Sequence, residues 1–161
     1  MKQDRFLLGI LAGIAVLVLV ALVVFFARPD NLEYGKETNP EGIARNYIVA
    51  LHLRDYEKAY TYLAEGENKP TLEEFTQPFL LNYVSPGNAG VEVLESQISG
   101  DGASVQLSVL YNPGDPFSGS YRNNEYASLV RQDGQWKIKE MPYTFWYYDW
   151  YQEPYEEEKK P

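Results

Sequence analysis

From Phe6 to Ala27 the chain reads FLLGILAGIAVLVLVALVVFFA, 22 residues without a charged side chain. No other stretch restricts so severely what the polypeptide can become. A bilayer core is ~30 Å thick and an α-helix rises ~1.5 Å per residue, so ~20 apolar residues are enough to span it. The run therefore predicts a transmembrane helix over 6–27. A cleaved secretory signal is the rival reading, but its apolar stretch is only ~7–15 residues and it ends on a small-x-small site. Phe25 and Phe26 place bulky rings where small residues are required, and the chain has no cysteine for a lipid thioether. The expectation is an uncleaved signal anchor; a core helix this long and uniformly apolar is out of scale for a small domain. Lys2, Arg5 and the amino terminus precede the run, and Arg28 is soon followed by Asp30 and Glu33. The positive-inside rule then predicts a single-pass protein of the cell membrane, N-terminus cytoplasmic and residues 28–161 extracytoplasmic.

The remainder is acidic. Setting Lys2, Asp4 and Arg5 aside from the 14 basic and 23 acidic side chains leaves a net charge of −10. Such a surface repels phosphate backbones and anionic head groups, which argues against nucleic acid as a partner. Without cysteine, an exterior domain has no disulfides and must hold together through its core alone. No Asn-x-Ser/Thr sequon occurs. These features suit a bacterial envelope protein.

Residues 1–5 form the cytoplasmic end in this reading, 6–27 the span and 28–38 (RPDNLEYGKET) a tether without periodicity. Asn39-Pro40 reads as an N-cap with proline at the first helical position, followed by Ile43, Tyr47, Ala50 and Leu51 at helical spacing. Asp55 caps a second helix with Tyr56, Ala59, Tyr60 and Leu63 in a stripe. Thr71-x-x-Glu74 is a capping-box pattern opening a third, with Leu72, Phe75 and Phe79 on one face. After Pro86-Gly87 the period changes to two. Strands are predicted over 91–98, 103–111, 125–132 and 135–141, the first pair joined by SGDG and the last by Asp133-Gly134. Helices first and a meander of strands afterwards imply an α+β fold, helices on one face of a curved antiparallel sheet.

LHLRDYEKAYTYLAEG (51–66) and LVRQDGQWKIKEMP (129–142) resemble the helix-break-helix opening and the closing hairpin of the nuclear transport factor 2-like superfamily, which has a cystatin-like fold. The resemblance covers roughly residues 40–142 and is strongest to small membrane-tethered bacterial members. It implies a cone of three helices on a curved sheet over 39–142, with 143–161 as an aromatic and acidic extension. Members use the cone for catalysis, for binding or only for dimerisation, so the resemblance marks fold rather than activity.

Enzymes of that superfamily place an Asp or His base in the cone opposite donors such as Tyr. Here His52 is the single histidine, between two leucines, and Asp55 precedes YEKAY as a helix cap. One histidine and no cysteine leave no ordinary zinc set, and SGDGAS and NPGDPFSG carry too few acids for a calcium loop. No cofactor or metal is expected. All 14 tyrosines follow the apolar run. Tyr47, Tyr56, Tyr60 and Tyr83, with His52 and Trp136, would line a partly polar cone suited to a small molecule or glycan, or else pack as core with their tips in water.

FWYYDWY then places six rings in seven positions, Phe145, Trp146, Tyr147, Tyr148, Trp150 and Tyr151. As a strand or as a helix, the stretch would present aromatic side chains on two opposite faces, more than one core absorbs. The expectation is that the Trp146 side packs on the domain and the rest contacts a protein partner or a second copy. The function expected is thus a non-enzymatic, membrane-anchored envelope interaction module, with the cone-pocket binder as the alternative.

Overall fold

The computed structural model describes residues 2–26, 32–111 and 119–152, and in the first of these the side chains of 7–23. The chain divides into two units, residues 1–31 and 32–161. The tether residues 28–31, the loop 112–118 and the acidic tail 153–161 lie outside the described residues.

In the first unit α1 runs Lys2–Phe26, and every described side chain on it is exposed. Among the described residues, however, no helix is long and apolar enough to cross a membrane. The expected transmembrane helix over 6–27 is corrected accordingly. With it go the signal anchor, the single-pass membrane placement and the cytoplasmic and extracytoplasmic assignments that rested on it.

The second unit is α+β, three helices followed by four antiparallel strands. Helix α2 (Pro40–His52) starts where Asn39 Oδ1 accepts from the Gly42 amide at 3.0 Å, and Pro40 fills a position whose amide needs no partner. Ile43, Tyr47, Ala50 and Leu51 are all buried. Helix α3 (Tyr56–Thr61) is capped by Asp55, whose carboxylate accepts from the Lys58 amide at 3.1 Å. It stops before Leu63, which instead forms a parallel bridge with Ile138. Helix α4 (Leu72–Leu80) carries the reciprocal Thr71–Glu74 capping box. Phe75 and Phe79 of α4 enter the core, while Leu72 remains exposed.

A short 3₁₀ turn at Pro86–Asn88 leads into β1 (Ala89–Ser99), then β2 (Gly102–Tyr111), β3 (Tyr121–Gln132) and β4 (Gln135–Glu140). The strands pair in sequence order, with a bulge between Val93 and Ser96. The β3–β4 turn holds both Asp133 and Gly134 at positive φ, 51° and 77°, as a two-residue hairpin of matching twist requires. Val105, Leu107, Val109, Ala127, Leu129 and Ile138 form one buried face against the helices. Strand β3 begins four residues earlier than its periodicity predicts, because Tyr121–Asn124 pair with the outer half of β2 although their side chains are exposed.

The last seven residues predicted as tether, 32–38, are hydrogen-bonded to the helices. Asn46, fully buried, accepts from Gly35 N at 2.7 Å and donates to Gly35 O at 3.0 Å. Glu37 accepts from the Tyr62 hydroxyl at 2.6 Å and from Lys58 at 3.0 Å. Tyr34 donates to Asp55 at 2.8 Å. These contacts make 32–37 a strap over α2 and α3.

Candidate functional site

Residues 143–151 are neither strand nor helix but a succession of turns, with Tyr151 at φ 63°. Turns aim successive side chains in more directions than either periodic structure. Phe145, Trp146 and Trp150 are buried to 0%, 7% and 5% exposure, Tyr147 and Tyr151 are half-buried, and Tyr148 is exposed.

Four polar anchors hold the segment, one of them the Thr144 hydroxyl on the Tyr111 hydroxyl at 3.1 Å. The Tyr47 hydroxyl, fully buried, donates to Phe145 O at 2.8 Å, and the Tyr151 hydroxyl donates to Ala64 O at 2.6 Å. The fourth depends on Pro78 inside α4. Proline has no amide hydrogen, so the carbonyl four residues back loses its helical partner. That carbonyl belongs to Glu74, and the Trp150 indole N–H donates to it at 3.4 Å. The Trp150 ring then packs on Phe75 at 4.7 Å, Trp146 at 5.0 Å and Phe79 at 5.8 Å between centroids.

Between α4 and this turn lies an open cleft of about 450 Å³. Pro70, Pro78, Tyr83, Tyr147 and Trp150 supply its apolar walls; Asn68, Lys69, Glu74, Gln77, Asp149 and Gln152 supply its polar lining. The Tyr83 and Tyr147 rings are stacked, 6.3 Å apart and 19° from parallel. Two of the charged groups, Lys69 and Glu74, already have partners. Lys69 Nζ sits 2.6 Å from Glu65 and over the Tyr60 ring. The Glu74 carboxylate accepts from Thr71 N and Oγ1, which draws its pKa below the usual carboxylate value. The neighbouring Asp149 carboxylate pushes the Tyr147 phenol up to about 12, with burial adding to the effect.

The residues expected to share one cone are dispersed. Tyr47 is core, and burial drives its pKa well above the ordinary phenol value. His52 and Tyr56 line a separate cavity of about 640 Å³ with Phe79 and Asn82; burial lowers the His52 pKa, favouring neutral imidazole. Tyr60 donates to Pro70 O at 2.8 Å and so buttresses the wall of the cleft from behind. Trp136, under the Arg131 guanidinium at 4.5 Å, lines a third cavity of about 360 Å³ with Glu37 and Tyr62. Only Tyr83 joins the C-terminal rings in the cleft. Among the described residues no group of three or more His, Cys, Asp or Glu is placed to hold a metal ion.

Two features escaped the sequence reading. Glu74, Gln77 and Pro78 fall at i, i+3 and i+4 on α4, a spacing that marks a second face beside the Phe75–Phe79 stripe. The other is a polar centre on the sheet. The Tyr111 hydroxyl donates to Glu125 at 2.5 Å and accepts from Thr144 at 3.1 Å, and the Tyr111 ring stacks between Tyr121 and Tyr143. Burial and the adjacent carboxylate raise the Tyr111 pKa. In sequence, Tyr111 and Glu125 flank a loop and carry no local signal of pairing.

No protein-family model matches the chain, and no curated protein matches it either. Solved structures similar to it include NTF2-like and cystatin-fold proteins. An NTF2-like protein of unknown function from Pseudomonas putida is 17% identical with a TM-score of 0.44, over 63% of this chain and 80% of that one. An uncharacterised cystatin-fold protein from Novosphingobium aromaticivorans is 12% identical with a TM-score of 0.42, over 65% and 97%. A SEC-C motif-containing protein from Rhodopseudomonas palustris is 15% identical with a TM-score of 0.46, over 66% and 79%. Overlaps of this size leave the function to be read from the chain's own geometry.

Proposed function

We propose that the chain is a non-enzymatic binding module that receives its ligand in the cleft between α4 and the C-terminal aromatic turn. One observation carries this reading: the turn closes the core with three rings and still brings Tyr147 and the edge of Trp150 to a 450 Å³ opening beside Tyr83. An apolar concavity with a few polar groups is the usual form of a binding site. The titratable groups support binding over proton transfer. Lys69 and Glu74 are held by neighbours, and Asp55 serves as a helix cap and as acceptor for Tyr34.

The test is amide and indole NMR on the full chain with a panel of small polar and aromatic fragments. Shifts should gather on Gln77, Tyr83, Trp150 and Gln152; shifts gathering around His52 and Asn82 would refute the assignment. A second reading, contact with a protein partner or a second copy, is favoured by Tyr143 and Tyr148, which are 70% and 74% exposed on the far side of the same turn. It predicts that Tyr148→Ala lowers the mass found by light scattering or releases a co-purifying protein, with the fold unchanged.

A further inference from the structure

We infer that the ligand of this cleft is a neutral oligosaccharide, an inference that rests on the binding-module reading above. The first argument is charge. The whole chain carries −9, and the one cation among the cleft's described residues is neutralised by Glu65 at 2.6 Å, so an anionic ligand meets net repulsion. The second is the kind of hydrogen bonding offered. Beside the engaged Lys69 and Glu74, the exposed amides of Asn68, Gln77 and Gln152 make up the neutral polar lining. An amide side chain both donates and accepts, as a sugar hydroxyl does, and bidentate matches follow without any charge.

The third argument is the aromatic wall. Tyr83 stacks on Tyr147 and is still 68% exposed, and a pyranose ring offers a flat, weakly polar C–H face that lies against an open aromatic ring. A peptide is served less well. The cleft is bounded by a helix, a loop and a turn, so it has no strand edge to which an extended peptide could add.

The experiment is calorimetric titration of the full chain with cellohexaose, maltohexaose and chitohexaose, and in parallel with a proline-rich decapeptide and a polygalacturonate oligomer. At least one neutral sugar should bind. Tyr83→Ala and Gln77→Ala, both at exposed positions, should each weaken binding about ten-fold, the scale of one lost stacking or bidentate contact. Their urea midpoints should match the parent. Binding of the decapeptide or the acidic oligomer, with loss in Tyr83→Ala and no response to the neutral sugars, overturns the sugar assignment and keeps the cleft. If no probe binds, or if sugar binding is indifferent to both substitutions, the sugar assignment falls. The fragment NMR then decides separately whether the cleft binds anything.

Discussion

Tyr47→Phe isolates the anchor on which the C-terminal turn depends. The Tyr47 hydroxyl is fully buried and donates to the carbonyl of Phe145, 98 positions away in the chain. Removing it deletes a hydrogen bond with a net value of ~0.5–1.5 kcal/mol and leaves a buried acceptor unpaired, which costs ~1–3 kcal/mol in total. The ring itself remains, so its contacts with Phe75 and Trp146 persist. For a unit of this size that is a fall in Tm of about 3–5 °C per kcal/mol. A second consequence concerns pH. Burial holds the Tyr47 pKa well above the usual value, so the unfolded chain ionises this phenol above pH ~10 while the folded chain does not. Its contribution is complete below pH ~10 and declines above it by about 1.4 kcal/mol per pH unit. Urea unfolding at pH 7 and at pH 10 to 11 reads both effects. Tyr47→Phe should be weaker than the parent at pH 7, yet lose less of its stability on the alkaline side. A loss under ~0.5 kcal/mol at pH 7, or alkaline limbs of equal slope, would show that the hydroxyl does not join α2 to the turn.

Trp150→Ala removes a ring packed on Phe75, Phe79 and Trp146 and should cost ~3–5 kcal/mol in urea, which a loss of under ~1 kcal/mol would contradict. Thr71→Ala takes away one half of the capping box and should cost ~0.5–2 kcal/mol, read by thermal unfolding. Gly42→Ala gains helix propensity but sets its Cβ 2.0 Å from Lys36 O, so the strap must shift; trypsin should cut at Lys36 faster than in the parent, and equal rates would count against the strap. His52, its pKa lowered by burial, contributes stability present above pH ~6.5 and lost as the pH falls through the folded value; His52→Gln should flatten stability between pH 6.5 and pH 5.

Much of the second unit was legible because its signals are local. Asn39-Pro40, Asp55 and Thr71-x-x-Glu74 each cap within four residues, and each opens the helix expected of it. Asp133-Gly134 turns a hairpin wherever it falls between alternating strands. The span expected of 6–27 stands corrected, since among the described residues no helix is long and apolar enough to cross a membrane. The dispersal of Tyr47, His52, Tyr56, Tyr60 and Trp136 was hidden because each fits a helical or strand stripe, and a stripe does not say which cavity its edges meet.

Residue order alone settled where α2, α3 and α4 begin and how the β3–β4 hairpin turns, since each of those depends on neighbours a few positions apart. Tertiary packing decided the fate of FWYYDWY. Its rings settle where they do because Pro78 frees the Glu74 carbonyl for Trp150, and because Tyr47 and Tyr151 bring hydroxyls to carbonyls far away in the chain. Hydrogen bonds between such distant groups leave no periodic trace, so although the Trp146 side was expected to pack on the domain, neither the contacts that bury it nor the cleft beside it could be read before the chain was folded.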